Sequence, residues 1–139
     1  MSTAESGENK RKHLEFVQAV IARMAGNLFY LKGWAITIIA GLFALAAKDA
    51  NPKYFYLAYG VAVVLWTLDG YFLKQERLFR TLYDHVRKLD EKDIDFSLST
   101  KPFEGTPGNG WFRCMFSKTL LLFYFSLLLI MSLVIYFLH

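Results

Sequence analysis

Cysteine is almost missing from this chain, and charge is missing from three long stretches of it. The one thiol, Cys114, excludes an internal disulfide and any cysteine-based metal cluster. His13 and His85 have no companion His, Cys or carboxylate set at metal-ligand spacing. Glu91, Asp93 and Asp95 alternate, but the glycine and terminal glutamate of a calcium-binding loop are absent. No phosphate-cradling glycine loop, nucleophile elbow or paired general acid and base is present either. The sequence therefore predicts no catalysis, no metal and no other cofactor. No run of Lys and Arg is long enough to bind nucleic acid, and there is no internal repeat.

What is abundant is apolar surface. The 139 residues are 55% apolar and 17% aromatic against 20% charged. One domain of that size cannot build a core large enough to hide so much of it from water. The apolar residues also fall in blocks, as they do in chains that use lipid as solvent. The expected fold class is an all-α membrane protein with three transmembrane helices and two cytoplasmic amphipathic helices.

Along the chain, residues 1–9 read as a disordered tail. Residues 10–30 predict an amphipathic helix, because Leu14, Val17, Ile21, Met24 and Leu28 recur at spacings of three and four. Amphipathic sequence after Lys10-Arg11-Lys12, in place of a short apolar core and cleavage site, predicts no cleavable signal. The first span is expected over 31–47, with no breaker before it, so the two could form one rod. Lys48-Asp49-Ala50-Asn51-Pro52 is a clear break. The second span is expected over 54–73, with aromatic residues at both ends as in an interfacial belt. The charged segment 74–90 then predicts an amphipathic helix continuous with that span. Glu76–Arg80, Arg80–Asp84 and Asp84–Lys88 are pairs at helical spacing on it. Residues 91–112 read as a loop, and 116–138, the most apolar block, as the third span. Lys and Arg concentrate before the first span and between the second and third. The positive-inside rule thus predicts a cytoplasmic amino terminus and a carboxy terminus, ending in His139, on the periplasmic or extracellular side. Cys114, beside Arg113 and near Lys118, reads as a free juxtamembrane thiol, with palmitoylation as the alternative.

Three sets of residues stand out. Asp69 is an acid inside the second span, which costs several kcal/mol unless it is paired or wet. It either pairs with Lys32 or Lys74 or reaches the interface, or else it lines an aqueous path or a contact between subunits. Gly33, Thr37 and Gly41 recur every four residues, with Ala40 and Ala44 beside them. Such small residues let helices approach closely, within one chain or between copies. Leu78, Leu82 and Val86 form the apolar stripe of the charged helix, a candidate docking face for a partner.

The stretch RMAGNLFYLKGWAITIIAGLFALAAKD, followed by LWTLDGYFLKQERLFRTLYDHVRK, resembles small bacterial two-helix membrane proteins, the SLATT-type effectors of bacterial conflict and antiphage systems. The resemblance covers roughly residues 14–90; the third span departs from the two-span plan. It implies a non-enzymatic inner-membrane effector that self-associates and permeabilises the bilayer when a partner sensor is triggered. Its partners would be the lipid bilayer, further copies of itself and a cytoplasmic sensor or defence protein. The competing expectation is a membrane anchor or scaffold subunit that docks a soluble partner without forming a pore.

Overall fold

The computed structural model describes residues 7–138. Among them are four α-helices and no strand: α1 (Glu8–Asp49), α2 (Lys53–Arg87), the short α3 (Trp111–Met115) and α4 (Lys118–Leu138). Three of these, α1, α2 and α4, are long and apolar enough to cross a membrane. The chain is thus all-α over the described residues.

The amphipathic stretch and the first apolar block are one helix of 42 residues, about 63 Å at 1.5 Å per residue. No proline interrupts it, and its glycines, Gly26, Gly33 and Gly41, are each tolerated in a helix interior at modest cost. The second apolar block and the charged segment likewise form one helix of 35 residues. Ala50, in the left-handed region at φ 51°, ends α1. Asn51 Oδ1 accepts the Lys53 amide at 3.0 Å, and Pro52 supplies the fixed φ that starts α2. The two rods therefore lie antiparallel.

Their polar halves meet through Val17, Ile21, Leu82 and Val86, with Leu14, Phe79 and Tyr83 around them. Their apolar halves meet through small side chains, Ala35 and Ala46 on α1, Ala58 and Ala62 on α2. Alanine lets two helices approach where hydrophobic drive is weak. The helix α4 then lies along the apolar halves, its Met131 among Ile39, Ala58 and Ala62. Leu138 ends beside the α1–α2 turn, where it borders a pocket with Ala46, Ala50 and Pro52. The polar ends of α1 and α2 and the start of α4 thus share one end of the molecule.

Several sequence expectations are corrected. Glu8 and Asn9 are helical rather than part of a tail, while residues 1–6 and His139 lie outside the described residues. The segment 91–112 is a strap with its own turns, at Glu91–Asp93 and Lys101–Phe103, and Trp111 and Phe112 already belong to α3. The strap crosses the start of α1. The Glu91 carboxylate accepts the amides of Asn9 and Lys10 at 2.9 and 3.2 Å, capping α1 from more than eighty residues away. A carboxylate there also meets the positive end of the helix dipole. His13, which has no metal-ligand companions in the sequence, is buried: its Nε2 donates to Ser97 O at 2.8 Å, and its ring lies against Phe96. Of the three expected ion pairs on α2, Glu76–Arg80 is made, at 2.7 Å. Asp84 instead pairs with Arg87, at 3.5 Å and in solvent.

Candidate functional site: an ion pair among three apolar helices

Asp69 is fully buried, and its Oδ2 is the meeting point of the three long helices. Lys32 Nζ of α1 donates to it at 2.9 Å, and the Tyr124 hydroxyl of α4 at 2.8 Å. Each donor comes from a different rod, so one oxygen holds all three in register. Lys32 also donates to Leu28 O at 3.5 Å and lies over the Phe123 ring at 5.6 Å. The ammonium is thereby satisfied by a carboxylate, a carbonyl and a π face. Asp69 Oδ1, by contrast, is buried with no hydrogen-bond partner. The Asp69 carboxylate is fully buried while the Lys32 side chain stays 21% exposed, so most of the desolvation cost, several kcal/mol, falls on the acid and must be offset by the pairing.

A second layer surrounds this centre. The Trp66 indole stacks on Tyr124 at 5.8 Å and donates to Met115 O at 2.8 Å. Trp111 Nε1 donates to Thr67 O at 3.1 Å. Each indole thus ties α3 to α2. The approach is close because Gly70 has no side chain: a Cβ there would lie 2.3 Å from Met115 Cγ and 3.3 Å from its Cα. Further along α2, Arg77 donates to Gly108 O at 3.0 Å and to Cys114 Sγ at 3.6 Å. Asn109 donates to Thr81 at 3.1 Å. Cys114 is buried rather than presented to a lipid surface, which removes the access that palmitoylation requires. Burial pushes its thiol above the usual range, partly opposed by Arg77 and then Lys74. Nearer the turn, Tyr59 and Ser132 share a hydrogen bond of 2.6 Å between α2 and α4.

Of the residues singled out from sequence, Asp69 pairs with Lys32, one of its two foreseen cations. Lys74 belongs to the Cys114 surroundings instead. The small residues Gly33, Thr37, Gly41, Ala40 and Ala44 all face outward and do not mediate packing of α1 on α2. A Cβ at Gly33 or Gly41 would touch nothing within 4 Å. The buried positions of α1, Ala35, Ile39 and Ala46, lie on its opposite side. Leu78, Leu82 and Val86 are buried within the chain, 1%, 4% and 1% exposed, so that stripe is not open to a partner. The reason is complementarity at short range: α1 brings Val17 and Ile21 to Leu82 and Val86, and the strap adds Ile94 and Phe103. Tyr124, Trp66, Gly70 and Arg77 were not singled out from sequence. Tyr124 is one of two tyrosines in the apolar α4, and nothing in the sequence singles it out from Tyr136, because depth relative to Asp69 is set by tertiary packing. Comparison with known protein families, with curated proteins and with solved structures finds no match to this chain.

Proposed function

We propose that the chain is a non-enzymatic membrane effector of bacterial defence, seated in the inner membrane with α1, α2 and α4 spanning it. Its polar end is cytoplasmic, and its carboxy terminus lies on the far side. Copies assemble through the outward face of α1 and disturb the bilayer when a cytoplasmic signal reaches the polar halves. The observation that carries the reading is helical continuity: α1 and α2 each run unbroken from polar half to apolar half. A displacement at the polar end therefore reaches the apolar end through rigid backbone instead of being absorbed by a loop. The uncovered Gly33, Thr37 and Gly41 supply a face on which a second helix can sit closely. The defence setting rests on the resemblance to the SLATT-type effectors alone. Dye release from liposomes and depolarisation of expressing cells test it. Leak that rises with protein density is expected, and none at any density or in any state of a genetic partner would sink the proposal.

A second reading, a membrane anchor that docks a soluble partner, draws on a different feature. An open cleft of about 530 Å³ lies between the polar halves, lined by Arg11, Leu14, Gln18, Ala22 and Tyr83. It takes the place of the filled Leu78–Val86 stripe as a docking face. This reading expects no leak, and loss of partner binding in Gln18→Trp.

A further inference from the structure

The pair of rods α1 and α2 has two flanks. One is filled by α4 around Asp69. The other holds an open cleft of about 300 Å³, walled by Asn27, Tyr30, Trp34 and Ile38 of α1 and by Leu65 and Phe72 of α2. We propose that this cleft is a phospholipid site, with one acyl chain between α1 and α2 and an anionic headgroup against Asn27 and Arg23. The inference rests on the membrane-spanning reading above. Three features commit it to a lipid. First, the lining is graded, with an amide at the polar end and aromatic and aliphatic side chains beyond it. Second, from Asn27 to Ile38 the cleft runs about 16 Å along α1, from headgroup level at Asn27 to about 10 Å inside the span that starts at residue 31. That lies within one leaflet, whereas a second transmembrane helix would need a groove along the whole span. Third, Arg23 stands one helical turn, about 6 Å, on the polar side of Asn27. It is exposed, and among the described residues no carboxylate lies within ion-pair distance of it. A guanidinium at that height meets the phosphate of a headgroup bidentately.

The test uses the full chain in nanodiscs of equal phosphatidylglycerol and phosphatidylcholine with identical tails, followed by native mass spectrometry of the released protein. One retained phosphatidylglycerol per chain is expected, preferred several-fold over phosphatidylcholine. Ile38→Trp, which fills the cleft, should lower retention at least fivefold. Leu65→Trp fills it from the α2 wall and keeps the test decisive should the first variant lose its helical circular dichroism. Arg23→Gln should bring the two lipids to parity while a lipid is still retained. Leu122→Trp, on the exposed side of α4, should change nothing. Equal retention of both lipids by the wild-type chain, or full retention by the cleft-filling variants, overturns the proposal. A chain that inserts into nanodiscs but keeps no lipid overturns this site alone; one that never inserts overturns the membrane-spanning reading as well.

Discussion

Replacing Asp69 with asparagine leaves the Lys32 ammonium with no charge to neutralise it. Breaking a buried pair from one side costs about 3–5 kcal/mol, because the stranded partner stays desolvated. Asp69→Asn and Lys32→Met should therefore each lower the melting temperature in detergent by several degrees. Removing both charges, as Asp69→Leu with Lys32→Met, should recover much of that loss, since apolar replacements of buried pairs are often close to neutral. The double variant still strands the Tyr124 hydroxyl that donates to Asp69, a penalty of about 1–3 kcal/mol for a buried unmade hydrogen bond. Adding Tyr124→Phe should remove that remainder and bring the triple variant nearest to wild type. A triple variant no more stable than Asp69→Asn would show that the pair is not what joins the helices. Cys114 yields a second expectation at this scale. Its thiol is buried and its pKa raised above the usual 9.0. The reactive thiolate is therefore scarce at pH 7.5 and accumulates only as pH rises past the ordinary cysteine range. Maleimide should modify folded protein far more slowly than a free thiol, by tenfold or more, and denaturant should abolish the protection.

At the scale of elements, the strap is the part that depends most on distant partners. Glu91 takes two amides at the start of α1, and helix-terminal charges and caps of this kind contribute about 0.5–1 kcal/mol each. Glu91→Gln should speed hydrogen exchange at the first turns of α1, near Asn9 and Lys10, and leave the rate unchanged near Ala35. The cap was illegible in sequence because Gly7 offers no side chain and the substitute comes from across the fold. The two long rods were legible: apolar positions at spacings of three and four, with no proline between the amphipathic and apolar parts, leave little but continuous helix. The stripe Leu78–Leu82–Val86 was also legible as a stripe, but not its occupant. Pattern identifies an apolar face without saying whether the chain itself or another molecule covers it. Here Leu14, Val17 and Ile21, read from the same sequence, were the complementary stripe. The Lys32–Asp69 pair was one of several options, and Tyr124 could not be reached, since no spacing rule connects positions 55 residues apart.

For the molecule as a whole, the polar groups that join the apolar helices are turned inward, and Gly33, Thr37 and Gly41 of α1 are turned outward. Lys32, Asp69, Tyr59, Trp66 and Tyr124 are all engaged between helices of the one chain. Among the described residues a single copy thus presents no charged wall along its apolar helices, so the leak proposed above would require several copies acting together. A face open to another helix is that of Gly33, Thr37 and Gly41, where Thr37 is exposed and its hydroxyl donates back to Gly33 O at 2.9 Å. If copies meet there, a cysteine at 37 in a Cys114→Ser background should crosslink in membranes on mild oxidation, giving a dimer on a non-reducing gel. Ala35→Cys, turned toward the interior of the fold, should give at least fivefold less. Crosslinking that is equal at both positions would reflect crowding, and none at position 37 would remove the outward face of α1 as the contact. Should dimers form through position 37 without dye release, assembly would be separated from leak, and the anchor reading would gain over the effector.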